Sequence, residues 1–249
     1  MARVARRRRQ TALSFEAPDA PVLARRAFGE AIATAGLAMA VIFSAQASWL
    51  GALRPLALGL GVPAAVAALT LSFGPATGAH FNPLVTTCQW VRGHRNGRCL
   101  VAYVCAQYAG ALAGALLAVA LIPSAAHLAP APVATIIGGE VFASAGLLTV
   151  ILATSQMTGP GIGLMAVVGW LIMVNLAAPA GPFANPVLAL AVPLATGSLK
   201  VSLVLIHVAA EIAGATIALL IIALTYPRGT KKMRGRPSRR RPVATPAKP

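Results

Sequence analysis

Three carboxylates stand where a soluble protein would not place them. Glu30, Glu140 and Glu211 each lie inside a long apolar run, and Glu16 and Asp19 are the only other acids in 249 residues. An ionisable side chain among apolar neighbours is expensive, and must be paired, bonded to backbone or set against a water-filled space. Two Asn-Pro pairs, Asn82-Pro83 and Asn185-Pro186, interrupt the same apolar sequence. Asn is a strong helix N-cap and Pro suits the first helical position. The chemistry open to such a set is narrow: hydrogen bonding, helix-end electrostatics and proton relay. The pattern contains no nucleophile–base pair, metal-ligand cluster or phosphate loop, so neither an enzyme, a cofactor nor a metal is expected. Cys88, Cys99 and Cys105 are odd in number and lack a CxxC spacing; they read as small apolar fillers rather than a disulfide framework or zinc site.

The elements that position these residues follow from composition. The chain is 57% hydrophobic and 10% charged, against about 25% charged in an ordinary soluble domain, and its mean hydropathy is +0.76. That excludes a soluble domain and predicts an all-α integral membrane protein with a polar interior. Runs long enough to cross a bilayer, about 20 residues each, cover approximately 27–47, 55–73, 100–122, 132–153, 161–178 and 201–225. Two further apolar pieces, 83–91 and 186–194, are too short to cross and each begins with Asn-Pro. They read as half-helices rising about 12 Å, which a membrane protein tolerates where they line a cavity.

The order Glu, Asn-Pro, Ala-Gln/Glu-x-Ala-Gly-Ala occurs twice. Glu30 answers to Glu140, Asn82 to Asn185, and Gln107 to Glu211, displaced by 110, 103 and 104 residues. Each half holds three spans, an odd number, so the halves enter the membrane from opposite sides. An inverted repeat of this kind places its functional site near the midplane between the halves. The expected organisation is a basic cytoplasmic N-tail (1–23), a membrane domain (24–226, with repeats 24–122 and 132–226) and a basic disordered C-tail (227–249).

Placing both termini in the cytoplasm puts 19 of the 21 Lys and Arg inside, leaving Arg54 and Lys200 outside, in accord with the positive-inside rule. A rival reading takes the Arg-rich start, the first apolar run and Ala45-Gln46-Ala47 as a cleavable signal peptide. Glu30 within that run, and its place in the repeat, argue against cleavage. The tails also invite a nucleic-acid reading, but they lack interleaved aromatics. Juxtamembrane basic clusters attract anionic lipid head groups more simply, at about 1 kcal/mol per residue.

Two half-helix N-termini meeting at the centre would each carry about half a positive charge. Such a centre repels cations while the Asn82 and Asn185 amides donate to neutral solutes. The non-helical segments before each Asn, with Gly78, Ala79 and His80 in one half and Gly181 and Phe183 in the other, can line a lumen with carbonyls.

Thr77-Gly78-Ala79-His80-Phe81-Asn82-Pro83-Leu84-Val85-Thr86 resembles the first Asn-Pro-Ala loop of the major intrinsic proteins, the aquaporin and glycerol-facilitator family. Phe183-Ala184-Asn185-Pro186-Val187-Leu188 resembles the second. Glu30, Tyr103, Gln107, Glu140 and Gly146 fall where that family places similar residues, and the likeness runs over about residues 24–226. It implies an aquaporin-like inverted repeat of six tilted helices and two half-helices around one pore per subunit, assembled as a homotetramer. The chain departs from the family at the motif Ala (Leu84, Val187) and at the Arg usual three residues after the second Asn (Leu188). Counting from the motifs gives an inferred selectivity filter of Val62, Met173, Pro182 and Leu188, with Val174 the alternative to Met173 if the fifth span slips by one. Ala189 and the short loop 123–133 match the glycerol subtype poorly. The Gly74-Pro75 lead-in and the second loop resemble a bacterial branch linked to arsenical export.

The resemblance implies a passive channel for small uncharged solutes: water, or larger neutral molecules such as arsenous acid, urea or small polyols. In that reading Glu30 and Glu140 are structural acids that accept backbone N–H groups. Two other readings stay open: a proton-coupled carrier using Glu30, Glu140 or Glu211, and a non-conducting structural member. Glu211 is either a packing residue or a further pore-facing acid. His80 reads as a pore-lining carbonyl with a packed ring rather than a titrating gate, and His207 as a packed or hydrogen-bonded residue. Gly110-Ala111-Leu112-Ala113-Gly114 is a close-packing helix motif.

Overall fold

The computed structural model describes residues 19–47, 51, 54–122, 131–155, 160–178 and 181–226. Both expected tails, apart from residues 19–23, lie outside these residues, as does the loop 123–130. Among the described residues there are eight helices and no strand: α1 (Ala20–Ala45), α2 (Arg54–Thr77), α3 (Pro83–Val91), α4 (Gly97–Leu121), α5 (Val133–Thr154), α6 (Pro160–Ala177), α7 (Pro186–Ala195) and α8 (Val201–Thr225).

Helix starts follow local chemistry. Asn96 caps α4 by accepting from the Cys99 N–H at 2.8 Å, and Asn82 caps α3 through the Leu84 N–H at 2.8 Å. Pro83 and Pro186 occupy the first turns of α3 and α7, where a missing N–H costs nothing. Pro also opens α1, which begins at Ala20 rather than near Ala27 and so carries Arg25 and Arg26 on its first turns.

Among the described residues five helices are long and apolar enough to cross a bilayer, one fewer than the sequence suggested. The remaining one, Gly161–Ala177, is shorter; the 18 residues of α6 rise about 27 Å, just under a hydrocarbon core of about 30 Å. It nonetheless takes the position in the bundle that its repeat mate α2 takes, each packing on the first helix of its half and on the other. The chain is an integral multi-pass membrane protein.

The two halves pack alike. α1 lies along α4 as α5 lies along α8, and each half-helix touches both α4 and α8. Close approach is enforced by glycine. A Cβ on Gly110 or Gly114 would collide with the Ala31 or Ala35 carbonyl of α1, and one on Gly214 would press on the Val141 carbonyl of α5. Small residues therefore make the α1–α4 and α5–α8 seams, while larger side chains such as Tyr103, Ile42, Leu148 and Ile222 fill the interior around the two re-entrant segments that lead into α3 and α7.

Candidate functional site

Each half sends one carboxylate to the segment entering its half-helix. Glu30, fully buried on α1, accepts the His80 N–H at Oε1 (3.1 Å) and the Phe81 N–H at Oε2 (2.7 Å). Glu140, fully buried on α5, accepts the Phe183 N–H at Oε1 (2.9 Å) and the Ala184 N–H at Oε2 (2.8 Å). These bonds hold strained backbone. Ala79, Phe81 and Ala184 have φ of 52°, 49° and 47°, a left-handed conformation costing about 1–2 kcal/mol for a residue with a Cβ.

The strain sets the direction of two carbonyls. Phe81 and Ala184 immediately precede the two asparagines, and their carbonyls face the opposite half. Asn185 Nδ2 donates to Phe81 O at 2.9 Å, and Asn82 Nδ2 donates to Ala184 O at 2.7 Å. The N-termini of α3 and α7 are thus cross-linked by a reciprocal pair of hydrogen bonds. Asn82 and Asn185 are 5% and 3% exposed, and both wall one cavity.

Around this symmetric centre the halves differ. In the first, Gln107 Nε2 donates to Glu30 Oε2 (2.8 Å) and Thr86 Oγ1 (3.1 Å). The His80 ring meets Thr86 Oγ1 at 3.0 Å and packs edge-on to Tyr103, whose hydroxyl donates to Thr77 O at 2.6 Å. In the second half Glu211 stands for Gln107 and His207 for Tyr103. Glu211 Oε1 accepts the Asn185 N–H at 2.8 Å, and His207 Nδ1 lies 2.6 Å from Glu140 Oε1. Glu211 Oε2 and Asn185 Oδ1 have no hydrogen-bond partner among the described residues. The neutral amide and phenol of one half are replaced by a second carboxyl and an imidazole in the other. Motif reading left the His207 and Thr86 contacts unseen. The repeat displacement of 104, which sets His207 opposite Tyr103, was the available signal.

Two cavities flank the centre. The first, about 440 Å³, is walled by Gly78, Ala79, His80 and both asparagines, among others. The second, about 580 Å³, is walled by Trp170, Val174, Gly181 and Pro182, among others. Val62, Leu188 and Phe183 belong to both walls. Of the four residues inferred for the filter, Val62, Pro182 and Leu188 thus meet the cavities and Met173 meets neither. Met173 is 37% exposed, whereas Val174 is 2% exposed and walls the second cavity. One residue is a 100° turn of a helix, enough to move a side chain from wall to outer face. In the wall of the first cavity, Gln89 is held by His94 Nδ1 at 2.8 Å. Burial, and then Arg92 and Arg95, keep that imidazole below its ordinary range.

Comparison with known proteins follows the same lines. No family model matches the chain. Over 70 residues, 28% of this chain and 28% of the relative, it is 41% identical to a probable aquaporin of Archaeoglobus fulgidus. Over 100 residues, 39% of this chain and 43% of the relative, it is 41% identical to an aquaglyceroporin of Rhizobium meliloti. The chain therefore matches less than half the length of either curated relative. The X-ray structure of an aquaglyceroporin from Plasmodium falciparum superposes with a TM-score of 0.67, covering 80% of this chain and 95% of that one at 20% identity. At that identity the likeness is one of fold.

Proposed function

Because the chain belongs to the major intrinsic protein family, we propose that it is a passive transmembrane channel for small uncharged solutes. The observation that carries this reading is the reciprocal Asn82–Ala184 and Asn185–Phe81 bonding. It brings two half-helix N-termini to one cavity, where their positive ends oppose cations. Each amide nitrogen keeps a second N–H, which serves a passing neutral molecule. The cavities on either side supply the path, and the Gly78–His80 and Gly181–Phe183 segments its carbonyl lining. Val62, Val174, Pro182 and Leu188 form an apolar filter on this reading, without the charge that an Arg at 188 would bring. Water or larger neutral molecules such as arsenous acid, urea or small polyols are the candidate solutes. Both termini are cytoplasmic, the basic tails sit on anionic lipid, and the assembly is a homotetramer in a bacterial inner membrane.

A second reading has one observation in its favour. The Glu140–His207 contact with Glu211 nearby places three exchangeable groups beside the second half-helix, as a proton-coupled carrier would need. Reconstitution into proteoliposomes decides between them. Downhill flux of urea, glycerol or arsenous acid that is indifferent to an imposed proton gradient supports the channel. Flux driven uphill by the gradient supports the carrier. Absence of any flux from correctly folded protein would leave a non-conducting structural member.

A further inference from the structure

The residues that wall both cavities mark where the two adjoin. They are Val62, Leu171, Phe183, Ala184 and Leu188. Val174 and Pro182 wall the second cavity alone. Leu171 stands on α6 one turn before Val174, towards the cavity that holds the asparagine pair.

We propose that Leu171 is a specificity-determining residue of the pore, and that the selective ring lies one helical turn deeper than the family motif positions indicate. This rests on the channel reading above and sharpens it. No side chain of the ring carries a nitrogen or oxygen. Of the backbone acceptors there, Ala184 O already receives Asn82 Nδ2 at 2.7 Å. On α6, Trp170 donates its indole N–H to Ala143 O at 3.1 Å, and Asn175 turns back to donate to Leu171 O at 2.8 Å. A solute crossing the ring sheds hydration and meets no side-chain replacement until it reaches the asparagines. Apolar constrictions of this kind discriminate by dewetting. The ring favours compact neutral solutes that give up water easily, and disfavours water files and ions. Leu171 carries this selection because it supplies a branched side chain to both cavity walls from α6, the helix that packs on the Val62 helix α2.

The test compares Leu171→Ala, Leu171→Asn and Met173→Ala in proteoliposomes by stopped-flow light scattering, with urea, glycerol and water as probes. Removing an apolar group from a selective pocket changes discrimination by about tenfold. Leu171→Ala relaxes the dewetting that holds water back and should therefore move the glycerol-to-water ratio downward on that scale. Leu171→Asn should raise water permeability relative to glycerol. Met173→Ala should leave both ratios in place. A second readout does not depend on flux: in a Cys105→Ser background, Leu171→Cys should react with methyl methanethiosulfonate and be protected from the bulky maleimides. An unreactive Leu171→Cys, or a Met173→Ala that shifts the ratios as far as Leu171→Ala, overturns the proposal. If wild type carries no solute yet Leu171→Cys is labelled in that pattern, the channel reading fails and the placement of the ring stands.

Discussion

Glu30 and Glu140 each accept two backbone N–H groups, and Glu30 also accepts Gln107. Glu30→Gln keeps one acceptor oxygen and sets an NH₂ donor against a backbone donor. Leaving a buried N–H unsatisfied costs about 1–3 kcal/mol, so the variant should melt earlier in detergent with any remaining flux unchanged in pH profile. A well-folded Glu30→Gln that has lost only coupling to protons would instead favour the carrier. Glu211 differs because its second oxygen has no partner among the described residues. Glu211→Gln reproduces the chemistry of Gln107 and should be nearly neutral for thermal stability. Glu211→Ala strands the Asn185 N–H and should cost about 1–3 kcal/mol. Equal losses in the two variants would mean that the Asn185 contact does not anchor α7. Leu188→Arg should add a fixed charge and five donors to the path. Glycerol flux should then fall relative to water, along with any cation leak. An unaltered ratio in stopped-flow measurements would remove Leu188 from the filter.

Among the elements, the α1–α4 and α5–α8 pairs set the frame, and glycine decides how close they come. Gly110→Leu would drive a side chain into the Ala31 backbone. Overpacking of this sort costs about 1–3 kcal/mol, and the folded fraction recovered after extraction should drop accordingly. Gly138 on α5 has nothing within 4 Å of an added Cβ, so Gly138→Ala should gain about 0.5–1 kcal/mol of helix stability. Opposite signs for these two substitutions would tie the effect to helix contact rather than to glycine itself. The starts of the two half-helices were legible in the sequence, because Asn-Pro acts within a few residues, although Asn82 makes the side-chain cap bond and Asn185 makes none; the start of α1 at Ala20 rather than near Ala27 was not. Nor were the faces. Helices such as α6 are apolar all round, so they carry no polar–apolar alternation to orient them. That is why Met173 could be taken for Val174, and why Leu171 drew no notice.

At the scale of the whole molecule, large apolar side chains cover the outside. Phe28, Leu71, Leu205 and Leu224 are 65–85% exposed, a surface suited to lipid and to further copies of the chain. A homotetramer should appear by native mass spectrometry in mild detergent at four times the chain mass. A monomer persisting at every concentration, with flux intact, would refute that assembly while leaving one pore per chain. Because each subunit holds its own asparagine pair and its own cavities, flux per chain should not depend on which neighbours it has.

Composition alone determined the membrane environment, since a chain with so few charges has no means of covering a soluble surface. The doubled Glu and Asn-Pro order determined the inverted repeat, because half-helix caps and buried acids are demanding enough to stand out in sequence. Tertiary structure decided what no local signal encodes. It turned Phe81 and Ala184 into left-handed conformations and aimed their carbonyls across the pseudo-twofold at the opposite asparagines. It joined His207 to Glu140 across 67 residues, and it chose Val174 and Leu171 over Met173 for the cavity walls. The physical reason is common to all three. Each depends on the rotation and approach of helices that are apolar on nearly every face, and packing sets that rotation.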